Sequence, residues 1–209
     1  AMAAASAVAP APAAALTIVN VETGSVGDWR SSSVAIYAQT FVAPTPSGFE
    51  SATFLIDDRG AAITFDAYVF AWDPATTTAP GAPLAADLGR TTAATADYAP
   101  VTAEFGGVAL TPGEAYLVFF QALSGPQARW RTSARGAGGY AEGEFLFRNG
   151  GVDDIGDGSW TTWSGGDLDF RLAFSEPAAA APLPGALPLG LAGLAALGGL
   201  SARRRRPAG

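Results

Sequence analysis

The chain has 209 residues, a formal net charge of −7, and neither cysteine nor histidine. Without these residue types the sequence has no disulfide framework, no thiol chemistry, no histidine-based triad and no ordinary zinc site. Lysine is also absent, which excludes a lysine nucleophile or Schiff base.

The charge is distributed unevenly along the sequence. Eight of the 12 arginines and all 19 acidic residues precede residue 177, so this part of the chain has a net charge of −11. A surface of this sign repels nucleic acid and anionic lipid, and the sequence contains no basic patch with interleaved aromatic residues. We therefore expect no nucleic-acid partner.

Residues 1–15 are rich in alanine and proline and lack an initiating Met followed by a basic segment. Ala13, Ala14 and Ala15 match the small-residue cleavage site that ends a secretory signal peptide, so this segment is interpreted as a signal-peptide remnant. The alternative is a disordered Ala/Pro linker. Under both interpretations the segment lies outside the folded domain, which we expect over residues 16–176.

Short apolar or alternating segments follow one another through the body of the chain. Strands are predicted over residues 16–21, 34–43, 51–58, 63–73, 101–105, 107–110, 115–123, 144–149 and 167–174. Alternation in the segment 63–73 places Phe65 and Asp66 on opposite faces of the strand. The nearly continuous apolar segment 115–123 is typical of a central strand that is buried on both faces.

Turn and loop chemistry separates these strands. Residues 57–60 (DDRG) and 111–114 (TPGE) predict turns, and the Pro/Gly/Thr-rich residues 73–87 predict a loop. No segment keeps a 3.6-residue apolar period. Nine or ten strands of this kind predict an all-β fold, an antiparallel β-sandwich of jelly-roll-like order, followed by one C-terminal transmembrane helix.

Several carboxylates on or near strands suggest two-acid glycoside hydrolysis, which needs a protonated acid and an ionised partner close together. The candidate residues are Asp66, Glu104, Glu142, Glu144 and Asp169. The alternative is that most of them alternate outward from an apolar face and are solvated. No catalytic residue is assigned on this pattern.

The segment 149–158 (NGGVDDIGDG) offers oxygen ligands of the kind that Ca²⁺ requires. These ligands are Asn149, Asp153, Asp154 and Asp157. Their spacing matches neither an EF-hand nor a Gly-Gly-x-Gly-x-Asp repeat, and Asx/Gly loops are also ordinary turn chemistry. A structural calcium therefore stays an option, and no cofactor is assigned.

Two tryptophans, Trp160 and Trp163, lie in a glycine-rich segment downstream of Trp130 and Tyr140. Exposed aromatic rings can stack on the faces of sugars, so Trp160 and Trp163 are candidate glycan contacts. The alternative is that they close the end of the sandwich. Their spacing places them on opposite faces of an extended strand, where they form no single platform.

The C-terminal segment 177–209 combines an apolar stretch with a basic end. No side chain from Leu183 to Ala202 is charged, and about 20 such residues are enough for a helix to cross a bilayer core. Four arginines, Arg203, Arg204, Arg205 and Arg206, follow directly and are costly to translocate, which predicts a cytoplasmic end and an exported body. An Ala/Leu-rich buried helix is the alternative, but it leaves the arginine block unexplained.

The sequence APLPG at residues 181–185 precedes this apolar stretch. The order of motif, apolar span and arginine cluster resembles the VPLPA type of PEP-CTERM sorting signals, found on exported proteins of Gram-negative bacteria. Pro182, Leu183 and Pro184 coincide with the motif, whereas Ala181 and Gly185 replace its Val and Ala. The resemblance implies recognition by a membrane-embedded exosortase and cleavage near the motif.

These features predict a non-enzymatic exported protein, anchored in the inner membrane before processing and then located at the cell surface or in the extracellular matrix. The body loosely resembles the β-sandwich ectodomains that precede such tails, which implies an association with exopolysaccharide. The alternatives are a carbohydrate-binding module, with or without a structural calcium, and a glycoside hydrolase that uses two carboxylates.

Overall fold

The computed structural model describes residues 15–149 and 160–176. All of the described residues belong to one compact unit of the chain. No helix among the described residues is long and apolar enough to span a membrane. The predicted transmembrane segment, 183–202, lies outside the described residues.

The described part of the chain forms strands and no helix. The strands are β1 (Ala15–Asn20), β2 (Gly24–Trp29), β3 (Ile36–Val42), β4 (Gly48–Asp57), β5 (Thr64–Ala71), β6 (Ala85–Thr91), β7 (Ala99–Ala109), β8 (Ala115–Ser124), β9 (Ala128–Thr132), β10 (Phe145–Arg148), β11 (Thr161–Thr162) and β12 (Phe170–Ser175).

The strands form two antiparallel sheets. The first sheet has the order β1-β12-β4-β9-β2, and β7 also pairs with β4. The second sheet has the order β11-β10-β3-β8-β5-β6. These two sheets confirm the prediction of an all-β, antiparallel β-sandwich.

The main core lies between the two sheets and is rich in aromatic side chains. Phe54 of the first sheet meets Phe120 of the second edge-on, with ring centroids 5.0 Å apart. Phe120 in turn stacks on Phe65 at 4.7 Å, and all three rings are buried. Truncating one such aromatic side chain typically costs about 3–5 kcal/mol, so this layer stabilises the fold without a disulfide.

A second apolar cluster covers the opposite face of the second sheet. It contains Tyr68 and Phe70 of β5 and Phe119 of β8, and Phe119 stacks on both of the other rings. The segment 63–73 therefore faces two cores, as its alternation predicts. β8 is likewise buried on both faces, which confirms the prediction of a central strand.

Two sequence-based assignments are wrong. The predicted loop 73–87 ends earlier, because β6 begins at Ala85. The two predicted strands 101–105 and 107–110 are one strand, β7, which ends at Ala109 and in which Gly106 and Gly107 have φ values of 65° and 73°. These glycines accompany a register shift against β4, so they bend the strand instead of ending it.

The two lateral sides of the sandwich differ. On one side, the backbone N–H of Glu104 on β7 donates to the Asp87 carboxylate on β6 at 2.9 Å, which links the two sheets. On the other side, the Tyr37 hydroxyl of the second sheet donates to the carbonyl oxygen of Gly27 in the first. A cavity opens beside this second link.

Candidate functional site

The cavity between β2 and β10 is called here the Trp163 cleft. Its volume is about 340 Å³, at the lower end of the ~300–1,000 Å³ range of small-molecule sites. It is lined by Ser25, Val26, Gly27, Asp28, Val34, Tyr37, Phe147 and Trp163. The lining is a wall of aromatic and apolar side chains with polar groups from β2.

A local irregularity of β2 brings the polar groups to the cleft. The register between β2 and β9 shifts between Val26 and Trp29. Asp28, inside this shift, has a φ of 71°, a left-handed conformation that Asp and Asn tolerate better than most residues. The side-chain amide of Gln127 donates to the Asp28 carboxylate, which is otherwise exposed at the cleft.

Tyr37 closes the inner end of the cleft. Its side chain is 2% exposed, and its ring lies edge-on to Trp130 at 5.4 Å and to Phe145 at 5.1 Å. Burial raises the pKa of Tyr37, and the negative charge of Asp28 raises it further. The hydroxyl therefore remains a protonated donor, held by the Gly27 carbonyl.

Trp163 also lines the cleft and is held at several points. Its backbone N–H donates to the carbonyl oxygen of Phe145 at 2.9 Å, and its indole N–H donates to the carbonyl oxygen of Ser133 at 3.3 Å. The Arg135 guanidinium lies 4.4 Å from the ring centroid. The indole is therefore half-buried and fixed in position before any ligand arrives.

A buried carboxylate holds the loop that precedes β10. Asp167 is 1% exposed, accepts a hydrogen bond from the Gln39 amide at 2.9 Å, and accepts another from the backbone N–H of Tyr140 at 3.0 Å. Burial raises the pKa of Asp167, although hydrogen bonds from Tyr140, Gln39 and Gly139 oppose this shift. A side chain at Gly138 would overlap the Asp167 carboxylate, so the loop requires glycine there.

The same loop borders a second cavity of about 370 Å³. Its lining includes Trp72, Glu142 and Glu144, and this cavity is called here the acidic groove. Burial raises the pKa of Glu144, and the charge of Asp167 adds to the shift. The backbone N–H of Glu144 donates to the Thr40 hydroxyl at 2.8 Å, which fixes this part of the loop on β3.

Only two of the five carboxylates considered for glycoside hydrolysis, Glu142 and Glu144, line the acidic groove. Asp66 accepts a backbone hydrogen bond from Gly89 at 2.7 Å, and Glu104 is exposed on β7. Asp169 is 8% exposed and accepts a hydrogen bond from the backbone N–H of Glu22 at 3.1 Å, so it is not one of the solvated carboxylates. Burial raises the pKa of Asp169.

The two candidate glycan contacts lie in different environments. Trp160 is 8% exposed and packs against Trp72 and Phe119 in the outer cluster. Trp163 instead packs on the core between the sheets and lines the cleft. The two tryptophans therefore form no common platform, as their spacing indicates.

The calcium candidates and the sorting motif lie almost entirely outside the described residues. Asn149 is the last described residue before a gap, and Asp153, Asp154 and Asp157 lie outside the described residues. The same holds for the motif 182–185 and the arginines 203–206. Within residues 15–149 and 160–176, no group of three or more acidic side chains is placed to hold a metal ion.

Sequence reasoning missed most of the cleft. Ser25 and Asp28 belong to GSVGDW, a segment too poor in apolar residues to predict a strand. Tyr37 and Phe147 lie on predicted strands, and alternation could have placed each on an inner face. Which distant strands meet at the cleft has no local signal.

A scan against protein-family models matches none of them, and a search of curated proteins finds no similar chain.

Proposed function

We propose that this chain is a non-enzymatic, exported bacterial protein of the cell surface or extracellular matrix, sorted by an exosortase-type membrane enzyme. The observation that carries the proposal is the order of the C-terminal segment. Pro182, Leu183, Pro184 and Gly185 introduce the apolar span 183–202, and Arg203, Arg204, Arg205 and Arg206 end it. The absence of His, Cys and Lys from the sequence supports the non-enzymatic part.

The proposed membrane orientation follows from the cost of moving charge. An arginine at the centre of a bilayer costs several kcal/mol, so four in succession should stay cytoplasmic. The body, with its net charge of −11, then lies on the outer side of the inner membrane. Cleavage near Pro184 would release it to the cell surface or the matrix.

Fractionation of the tagged protein tests this proposal. The full chain should appear in the membrane fraction and then in the extracellular fraction, with an intact mass reduced by the loss of the tail. A variant without residues 177–209 should not reach the membrane fraction. A variant with all four arginines replaced by alanine isolates the role of the basic end. Finding both the full chain and the tail-less variant folded in the cytoplasm would contradict the proposal.

We also propose a jelly-roll-like arrangement for the body. The order β1-β12-β4-β7 in one sheet and β3-β8-β5-β6 in the other supports it, because a jelly roll interleaves eight strands in two sheets of four. β2 and β9 then extend the first sheet, and β10 and β11 extend the second. Such a fold does not itself specify a ligand.

Carbohydrate binding is the second candidate function, and the Trp163 cleft favours it. The cleft combines a fixed indole with a carboxylate and a hydroxyl, the groups that sugar recognition uses. Hydrolysis has weaker support, because Glu142 and Glu144 come from one loop, whereas glycosidases place two carboxylates on either side of the scissile bond. We therefore propose association with exopolysaccharide, either structural or through binding at the cleft.

A further inference from the structure

We infer that the Trp163 cleft binds the terminal pyranose residue of a neutral glycan. This inference rests on the proposed association with exopolysaccharide and names the site and the class of glycan. The lining residues named above all lie within the described part of the chain.

The lining of the cleft matches the two kinds of surface on a pyranose ring. Trp163 and Phe147, which are both half-buried, offer aromatic surface to the C–H face of a sugar. Ser25 offers a hydroxyl and Asp28 a carboxylate, which can hold sugar hydroxyl groups by hydrogen bonds. An apolar ligand would desolvate the exposed Asp28 carboxylate and leave it only the Gln127 amide as a partner, which disfavours a purely apolar occupant.

The small volume of the cleft, about 340 Å³, and its buried floor at Tyr37 favour the end of a glycan over an internal stretch. Tyr37 seals the cleft toward the core, and Trp130 and Phe145 behind it are fully buried. A chain that continues in both directions needs a groove with two open ends. A chain end, or a one-residue branch, needs only the opening between β2 and β10.

The charges around the cleft favour a neutral sugar. The Asp28 carboxylate lines the cleft and repels an anionic sugar, while the Arg135 guanidinium lies against the Trp163 ring. The body carries a net charge of −11, which repels polymers of uronic acids or phosphorylated sugars. A neutral glycan meets neither penalty.

The polar groups of the cleft are already positioned. Asp28 accepts from Gln127, the Tyr37 hydroxyl donates to Gly27, and the Trp163 indole donates to Ser133. Because these side chains are ordered by the protein itself, binding costs little further side-chain entropy.

Binding of the full chain, purified in detergent, to a glycan array tests the inference. The array carries neutral, uronic-acid and amino-sugar oligomers of increasing length, attached at their reducing ends. We expect neutral oligomers to bind with an affinity that does not rise with length beyond the first few residues. Preference for uronic acids, binding to long chains only, or no binding by the folded protein would each overturn the inference.

Substitutions at the rim of the cleft locate the site. Ser25→Trp fills the opening from an exposed strand position and should weaken binding at least about tenfold. Thr17→Trp is the matched control, because Thr17 is also exposed on an edge strand but lies outside the cleft, and it should leave binding unchanged. These variants avoid removing Trp163, which also packs against Phe145. Equal loss, or no loss, in both variants would overturn the inference.

The conservative substitution Asp28→Asn separates the carboxylate from the shape of the cleft. Asn tolerates the same left-handed backbone and still accepts from Gln127. Loss of the charge-assisted hydrogen bonds should weaken binding about fivefold without a change in melting temperature. An unchanged affinity would contradict the assigned role of Asp28.

The two proposals fail separately. If the array shows no glycan binding but the full chain is exported in a tail-dependent manner, the cleft inference falls and the proposed sorting stands. If the cleft binds glycans but the chain stays in the cytoplasm, the proposed location falls and the binding site stands.

Discussion

Removing the buried Asp167 carboxylate should loosen the loop that borders both cavities. In Asp167→Ala, the Gln39 amide loses its acceptor at 2.9 Å, and the backbone N–H of Tyr140 loses its acceptor at 3.0 Å. Each unsatisfied buried donor costs about 1–3 kcal/mol. Gln39 also donates to Thr40, and Tyr140 is half-buried, so we expect the lower part of each range.

At neutral pH the substitution also removes the cost of burying a charged carboxylate, which offsets part of this loss of stability. We therefore expect Asp167→Ala to lower the free energy of unfolding by about 2 kcal/mol near pH 7. That is a substantial share of the ~5–15 kcal/mol typical of a folded domain. Asp167→Asn should also destabilise the fold, because the N–H₂ group of the new side chain would face a hydrogen-bond donor. The Gln39 amide cannot flip to present its oxygen instead, because that oxygen accepts the backbone N–H of Leu168.

The pH dependence of this effect has a definite sign. Burial raises the pKa of Asp167 in the folded state above the unfolded value of about 3.9. The stability contributed by its protonated form is complete below that unfolded value and falls as pH rises through the folded pKa. The loss caused by Asp167→Ala should therefore be largest near pH 4 and smaller at pH 7. Removing the charge beside Glu144 acts in the same direction.

Urea denaturation followed by tryptophan fluorescence, between about pH 4 and pH 7, measures both effects. Asp97→Ala is the control, because Asp97 is exposed and its replacement should change stability by no more than about 0.5 kcal/mol. Equal stability of Asp167→Ala and the parent chain at all pH values would refute the assigned hydrogen bonds. A loss that grows with pH would refute the direction of the pKa shift.

Three further substitutions test close packing and buried hydrogen bonds elsewhere in the sandwich. Gly143→Ala should lower the melting temperature, at a cost of about 2 kcal/mol, because an added Cβ overlaps the backbone carbonyl of Thr40. Asp58→Ala should cost about 2–4 kcal/mol and speed hydrogen exchange at the amide of Ala94, because the buried Asp58 carboxylate accepts three hydrogen bonds, one from that amide. Trp29→Phe should cost about 2–3 kcal/mol in urea denaturation, because two carbonyl oxygens lose the indole N–H.

The first substitution has a matched control, and the other two have outcomes that would contradict them. Gly27→Ala should be nearly neutral for stability, since its added Cβ meets ordinary contacts at 3.6 Å and beyond. A Gly143→Ala variant as stable as Gly27→Ala would contradict the close approach to Thr40. Unchanged exchange at Ala94, or a Trp29→Phe variant within about 0.5 kcal/mol of the parent chain, would contradict the hydrogen bonds assigned to those sites.

The direction in which strand side chains face could be predicted from the sequence alone. Alternation in 63–73 correctly separates Phe65 from Tyr68, because successive side chains of a strand point to opposite faces. The continuous apolar segment 115–123 likewise indicates β8, which is buried on both faces. These features are local, so they can be predicted without knowledge of the partner strands.

Strands with little apolar pattern could not be predicted in this way. β2 (GSVGDW) contains two glycines and an aspartate, yet it forms because β9 supplies its hydrogen bonds. The burial of Asp167 is equally invisible, because its acceptor role depends on Gln39, 128 residues earlier in the chain. Strand propensity is a property of a single segment, whereas β2 and the buried Asp167 depend on hydrogen-bond partners elsewhere in the chain.

The sequence by itself determined the β class, the faces of the strongest strands, the acidic charge of the body and the order of motifs in the C-terminal segment. Only the tertiary structure brought Asp28, Tyr37, Phe147 and Trp163 together around one cleft and placed Trp160 on the other side of the second sheet. The physical reason is the separation along the chain over which each kind of interaction acts. Periodicity and charge act between near neighbours, whereas a cavity forms where distant strands pair and leave a gap between their side chains.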